Sequence, residues 1–372
     1  MKKIASLVLV LALMFALCAV ASADEAGYKI GIITELASSM EETYRIGEEL
    51  AAQYPDTAIH VTYPENTATE IETTISTVLS LAYDEDVKAI VFCSGVTGTA
   101  AAIDAVKEIR PEVLCVVAVP VEDVEVTCAS ADIAFRQNVS EMGAQIADAA
   151  NEMGCEAVVH YSFARHMSSQ AIEARANAMK EEAEKIGIEY LFVDTPDPLA
   201  DTGKAYSVQF VLEKTRELSE QYNNKIAFFS SNVYHIEPMV TAAMECGSYY
   251  TMPSDPSPFN GVPSALGIEV PADKNGDSEW MIEQISAKLA EKNLSGHMFN
   301  WPVPVLTLCE QAAYEYARMF CEGETDGTND SEALLKAFNK FAKVENLFVG
   351  VDYGSDVQVD NFYTFIADYV IM

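Results

Sequence analysis

The chain has 372 residues, half of them hydrophobic, and a formal net charge of −34 at pH 7. This apolar content is enough for two hydrophobic cores of ordinary domain size and excludes a disordered chain. So acidic a chain offers no basic patch for a phosphate backbone, and we therefore expect no nucleic-acid partner.

The first 23 residues are typical of a secretory signal. Two lysines precede an apolar run, which is followed by the small residues Ala21, Ser22 and Ala23. We therefore predict cleavage near Ala23 and an extracytoplasmic protein that is secreted, periplasmic or held at the cell surface. An uncleaved membrane anchor is the alternative. Lipidation of Cys18 is not expected, because Leu17 stands where a lipoprotein signal has Gly or Ala.

Downstream of the signal, apolar runs of strand length alternate with amphipathic helices on both sides of a crossover at residues 131–143. Near-continuous apolar strands separated by helices are typical of parallel sheets covered on both faces. The sequence therefore predicts an α/β protein with two doubly wound parallel-sheet lobes, which would bind a ligand beyond the carboxyl ends of their strands. The predicted strands are 29–34, 58–63, 87–93 and 113–119 before the crossover, and 157–162, 190–194, 225–230 and 299–305 after it.

In the first lobe, the turn SGVTGT after the third strand carries Ser94 and Thr97 at the beginning of a helix. Helix amide groups with short hydroxyl side chains suit an anionic or hydroxylated ligand. A tight helix cap without a ligand is the alternative. The acidic segment 122–125 that follows the next strand is interpreted as a solvated loop.

The crossover brings Arg136 and Asn138 to the boundary between the lobes. Burying an arginine without a partner costs free energy. Arg136 is therefore expected to reach water, to pair with an acid or to bind a carboxylate or hydroxyl of the ligand. We include both residues among the expected ligand contacts.

In the second lobe, polar and aromatic residues follow two strands. Phe163, Arg165 and His166 follow one strand, and Asn232 and Tyr234 follow another. An aromatic ring, a cation and an imidazole at a strand end suit a ring or a polar small molecule, but they also suit a salt bridge between loops. The segment 248–271, rich in Pro and Ser, is predicted to cover the pocket.

Other motifs are interpreted as structural features and not as ligand or metal sites. Asp273, Asn275 and Asp277 do not fit a calcium loop, so we interpret them as a polar turn and a helix cap. No metal or cofactor is expected. Without a C-x-x-C spacing, most of the cysteines are interpreted as buried free thiols.

The order and spacing of several segments resemble the type I periplasmic binding proteins, the superfamily of ribose-type sugar receptors, and in particular an uncharacterised bacterial branch of it. The resemblance extends over nearly the whole chain after the signal. The segments that carry it are IGIITE at 30–35, DVKAIVFCSG at 86–95, QNVSEMGAQIA at 137–147, RANAM at 175–179, FFSSNV at 228–233 and GIEV at 267–270.

The resemblance implies a chain that crosses between its lobes three times and closes like a hinge around a solute. It places lobe 1 at 24–137 and 297–344, and lobe 2 at 138–296 and 345–372. It adds Glu35 and Glu269 to the expected ligand contacts. Val233 stands where the family has an Asp that binds sugar hydroxyls, which argues against a simple hexose or pentose.

The function implied is that of a monomeric solute-binding protein which delivers a small polar molecule to an ABC permease, without catalysis. A ligand sensor for a membrane receptor would have the same closed form. A secreted enzyme with Cys93 as nucleophile is the remaining alternative, because this cysteine lies at a strand end.

Overall fold

A computed structural model describes residues 27–201, 203–342, 348–350 and 359–372. The predicted signal and its cleavage site lie outside these ranges. None of the helices in this part of the chain is both long enough and apolar enough to cross a membrane.

The first lobe is a parallel sheet with helices on both faces. Its strands run in the order β2, β1, β3, β4, β5. The strands are β1 (Lys29–Thr34), β2 (Ala58–Thr62), β3 (Val87–Phe92), β4 (Leu114–Ala118) and β5 (Ile133–Gln137), and the helices are α1 (Glu41–Gln53), α2 (Ile71–Ala82), α3 (Thr99–Ile109) and α4 (Val124–Ser130).

The second lobe repeats this plan, because its parallel strands run in the equivalent order β7, β6, β8, β9. The strands are β6 (Ala157–Ser162), β7 (Glu189–Asp194), β8 (Ile226–Ser230) and β9 (Tyr249–Tyr250). The helices are α5 (Val139–Glu152), α6 (Ala164–Met167), α7 (Gln170–Ile186), α8 (Gly203–Gln221), α9 (Ile236–Cys246), α10 (Val262–Leu266) and α11 (Ser278–Glu291). The predicted two-lobed α/β fold is thus confirmed.

The chain then returns to the first lobe. After β10 (Phe299–Asn300), helix α12 (Val305–Cys321) packs on the first sheet and against α13 (Ser331–Phe341). The predicted strand 299–305 has only two residues, because Pro302 and Pro304 cannot donate to a sheet ladder. The second crossing therefore lies a few residues beyond the predicted boundary at His297.

The chain end corrects the predicted lobe boundaries. Residues 345–372 were assigned to the second lobe, but β12 (Phe362–Ile366) pairs in parallel with β5 in the first sheet. β11 (Phe348–Gly350) pairs with β12, and only β13 (Val370–Ile371) pairs with β10 of the second lobe. The third crossing therefore follows Ile366, since the largely buried, mostly apolar run of β12 takes the position beside β5 in the first sheet.

Hydrophobic burial explains why these runs form central strands. Every residue of β4 and of β6 is buried, as expected for strands covered by helices on both faces. One cluster of buried side chains continues from the first sheet through α12 and α5 into the second lobe. The lobes therefore share apolar packing near the crossings.

The three crossings are joined by one side-chain amide. Gln145 of α5, the helix that follows the first crossing, accepts a hydrogen bond from Trp301 Nε1 at 2.9 Å on the second crossing. The same amide donates to the carbonyl of Ala367 at 2.9 Å on the third. The backbone N–H of Asn138 also donates to the Phe365 carbonyl, at 2.7 Å.

Helix α5 approaches α7 closely at Gly143. A Cβ atom on this glycine would lie 2.3 Å from the Arg175 carbonyl oxygen, so no other residue fits without moving the helices. This contact fixes α7, which carries Arg175, relative to the first crossing.

The structure shows the helix caps and the state of the cysteines. Asp277 caps α11 by accepting from Trp280 N at 3.1 Å, so the predicted cap is confirmed. The N-cap of α1 is Met40, which makes no side-chain cap bond. The seven cysteines in the described ranges are free thiols and five of them are buried, as predicted.

We predict that Gln145→Ala destabilises the protein by about 2–3 kcal/mol, because it leaves the buried Trp301 N–H and the Ala367 carbonyl without their shared partner. Urea unfolding measures the change. Gln209→Ala on the exposed face of α8 is the control and is expected to change stability by less than about 0.5 kcal/mol. Equal effects of the two substitutions would contradict the assigned role of Gln145.

Candidate ligand-binding cleft

The second lobe gathers its predicted site residues at the carboxyl ends of β6 and β8. Phe163 is buried, and its ring centroid lies 4.1 Å from that of His166. The Arg165 guanidinium lies 5.1 Å from the Phe163 centroid and pairs with both oxygens of Asp197, at 2.7 and 2.9 Å. The structure therefore contains the loop salt bridge that was the alternative for Arg165, next to an aromatic and imidazole pair.

Hydroxyl groups connect the imidazoles to the strand ends. Ser231 Oγ lies 3.0 Å from His166 Nδ1 and 2.7 Å from Ser162 Oγ. His235, one turn further on, has Ser230 Oγ at 2.9 Å and Ser207 Oγ at 2.7 Å on its two ring nitrogens. Burial lowers the pKa of His235 to about 4 and also lowers that of His166, so both rings are neutral at pH 7.

Asn232 and Tyr234 have local partners. The Asn232 side chain accepts from the backbone N–H of Tyr234 at 3.0 Å and so caps the turn after β8. The Tyr234 ring is 40% exposed, and Lys204 Nζ lies 3.9 Å from its centroid. This ring therefore lies at the surface of the second lobe.

In the first lobe, the predicted anion site is occupied by the chain itself. Glu122 accepts hydrogen bonds from the backbone N–H groups of Gly98 and Ala100, each at 3.1 Å, at the N-terminus of α3. The Ser94 carbonyl accepts from Tyr63 at 2.6 Å, and the Thr97 side chain is exposed. The interpretation of 122–125 as a solvated loop is wrong for Glu122, because its carboxylate provides the negative charge that this helix end attracts.

The predicted residues at the lobe boundary have structural contacts. The Arg136 guanidinium lies 5.6 Å from the Phe362 centroid. Asn138 is the N-cap of α5, where its side chain accepts from Glu141 N at 3.0 Å. Neither contact identifies a ligand, so their ligand roles stay predictions.

The two predicted carboxylates differ in position. Glu35 follows β1 at the sheet edge and accepts from Thr43 Oγ1 at 3.1 Å. Glu269 follows α10 on an exposed segment. Glu35 therefore has the position expected of a cleft residue, whereas Glu269 faces solvent.

The loop after β9 connects the lobes through residues that are not among the predicted ligand contacts. Asp255 accepts from Gln137 Nε2 at 3.4 Å, across from the end of β5. The Pro256 carbonyl accepts from Val305 N at 2.8 Å at the start of α12. Most of residues 251–258 are buried, so this part of the predicted cover is a packed wedge. The sequence feature that marks this loop is its richness in Pro and Ser.

Arg175 supports this loop from α7. It is buried, donates to the Ser254 carbonyl at 2.9 Å and lies 5.0 Å from the Phe229 centroid. Burial lowers its pKa to about 10, so it stays charged at pH 7. The charge of Asp255 in the wedge opposes this shift and favours the charged guanidinium.

Cys93 has the wrong environment for a nucleophile. It is fully buried at the end of β3, and burial together with Glu310 and Glu35 raises its thiol pKa well above the usual value. Reactive cysteines need an exposed, electropositive setting that favours the thiolate. This environment argues against the enzyme alternative.

We predict that Glu122→Ala lowers the free energy of unfolding by about 1–2 kcal/mol, because α3 loses its cap and the negative charge at its N-terminus. Asp104→Ala, exposed in the middle of the same helix, is the control and is expected to change it by less than about 0.5 kcal/mol. Urea titration of both variants tests the assignment, which fails if Glu122→Ala behaves like the control.

A pH prediction follows from His160, which is fully buried and has Tyr190 Oη 3.0 Å from its Nδ1. Burial lowers its pKa to about 3, so the unfolded chain binds a proton between that value and about 6.5 while the native protein does not. Stability is therefore lost as the pH falls.

Between pH 7 and 5 the expected loss from His160 is about 2 kcal/mol. Urea unfolding at several pH values should show a smaller loss for His160→Phe than for the wild type. Parallel curves for the two proteins would contradict a neutral buried imidazole.

The chain is similar in sequence to a described family and to a bacterial relative. The family model DUF3798, described as a protein of unknown function, matches residues 28–299. An uncharacterized protein of Treponema pallidum (strain Nichols) is 32% identical over 178 residues, which cover 46% of this chain and 80% of the relative.

Two solved structures are similar over most of the chain. One is a candidate transcriptional regulator from Clostridium difficile 630, with 25% identity, a TM-score of 0.81 and coverage of 93% of this chain and 99% of the other. The second is a sugar ABC transporter from Actinomyces odontolyticus ATCC 17982, with 12% identity, a TM-score of 0.56 and coverage of 82% and 87%. The fold is thus that of the type I periplasmic binding proteins, and the chain belongs to the DUF3798 family.

Proposed function

We propose that this chain is an extracytoplasmic solute-binding protein that captures a small polar molecule between its lobes and presents it to an ABC permease. The observation that carries the proposal is the repeated strand order of two lobes, which are joined by three crossings that Gln145 helps to hold together. Ligands of such sheets bind at this edge.

The chemistry of the facing edges supports a polar ligand. The second lobe supplies imidazoles, hydroxyls and the buried ring of Phe163, while the first supplies Glu35 and the wedge partner Gln137. An apolar surface with a few convergent polar groups is typical of small-molecule sites. The sugar transporter of Actinomyces shares the fold, and the leader-like N-terminal sequence supports a location outside the cytoplasm.

A second candidate is a ligand sensor that passes its closed form to a signalling partner. It is favoured by the similarity to the candidate regulator from Clostridium difficile, the most extensive of the structural similarities reported above. Both roles require the same closure around a solute, because each partner distinguishes the closed from the open form.

We expect the saturating solute to decrease the radius of gyration, because the lobes rotate about the three crossings and exclude water from the cleft. Small-angle X-ray scattering of the protein with and without each member of a polar solute library measures this change. Identical radii across the whole library would contradict a closing receptor.

The two candidates are separated by their partners. A transport protein stimulates ATP hydrolysis by its permease complex in the presence of solute, whereas a sensor binds a receptor or regulator domain and leaves the transporter unaffected. Reconstituting the solute-loaded protein with an ABC permease complex from the same host distinguishes the two outcomes.

A further inference from the structure

Glu310 of α12 is an unusual residue for the interior of a lobe. Its side chain is fully buried, and within the described part of the chain neither carboxylate oxygen has a hydrogen-bond partner. A buried polar group without a partner costs free energy, and an isolated buried charge costs much more. Such a residue therefore indicates a function other than stability.

Two further carboxylates lie near Glu310 at the cleft edge. Helix α12 packs against α1, β1 and β3. One turn before Glu310, the Thr307 hydroxyl donates to Glu42 at 2.9 Å, and Thr43 of α1 donates to Glu35 at 3.1 Å. Burial, together with the charges of Glu35 and Glu42, raises the pKa of Glu310 well above its usual value and so favours the neutral carboxyl group.

Nearby cations are already engaged. Arg45 of α1 pairs with Glu49 at 2.7 Å and lies 3.6 Å from Glu41, both on its own helix. Arg175, on the other lobe, is held by the Ser254 carbonyl. Asp255 adds a fourth carboxyl group from the wedge, close enough to raise the pKa of Glu42 further. The thiols of Cys93 and Cys309 also lie near Glu310.

A groove of about 310 Å³ reaches this cluster at Thr307, whose hydroxyl donates to Glu42. The groove is also lined by Gln311 of α12 and by Gly276 and Ser278 of the second lobe, whereas Glu35, Glu42 and Glu310 are not among its lining residues. Lys340 also lines it, but this amine pairs with Glu315 at 2.6 Å. The volume is at the lower end of the range for small-molecule sites.

We propose that Glu310, with Glu35 and Glu42, binds a positively charged amino or guanidino group of the solute. This inference rests on the proposed solute-binding function and specifies its ligand class. The incoming cation provides the missing partner, and Glu310 releases its proton to solvent as the ion pair forms. The formal charge of −34 attracts cations to the cleft from a distance.

The binding test uses 1,4-diaminobutane and agmatine as probes, with 1,4-butanediol as the neutral match. Isothermal titration calorimetry at pH 7.5 in two buffers of different ionisation enthalpy measures affinity and proton release. We expect a cationic probe to bind with release of a proton and the diol not to bind. Glu310→Gln should weaken binding by about 30-fold or more, whereas Glu108→Gln, exposed on α3, should not.

A second measurement does not depend on the probe. Since native Glu310 keeps its proton above the pKa of the unfolded chain, the wild type loses stability as the pH rises from about 4.5. Glu310→Gln removes this loss, so its melting temperature should exceed that of the wild type by an amount that grows as the pH rises above about 4.5. A constant difference would overturn the assignment of Glu310.

The outcomes separate this inference from the proposed function. Binding of a neutral solute with lobe closure, unaffected by Glu310→Gln, overturns the cationic ligand and leaves the solute receptor in place. Cation binding that survives Glu310→Gln also overturns the inference. Failure of every probe and every library solute to bind overturns both.

Discussion

The structure depends on how three chain crossings are held together. Gln145 contacts the second and third crossings through the two ends of one amide, and it lies on the helix that begins directly after the first. An amide can donate and accept at once, which no apolar side chain of the same size can do. The relative position of the lobes, and hence the cleft between them, follows from this junction together with the shared apolar cluster.

The fold could be predicted from the sequence because parallel sheets leave a strong pattern. Buried strands such as β4 and β6 appear as continuous apolar runs, and the helices between them show one-sided periodicity. The crossings were harder to place, because β12 has the same apolar pattern whichever sheet it joins. Only its pairing with β5 assigns it to the first lobe.

The site was predicted less well, since it depends on contacts between distant residues. Phe163 and His166 were recognisable because they follow a strand in sequence, and the structure brings them into contact. Glu122 was misjudged because an acidic residue in a loop has the same appearance whether it faces water or caps a helix 22 to 24 residues away in sequence. Glu310 gave no sequence signal, because charged residues are common on helices and its burial is set by packing between α12, α1 and the sheet.

We propose that the cleft between the lobes holds one small solute. A crystal structure of the protein purified from its own host should then show electron density for a single small molecule that contacts strand-end residues of both lobes. Lobes that meet without a solute between them, or a solute bound away from both strand edges, would contradict it.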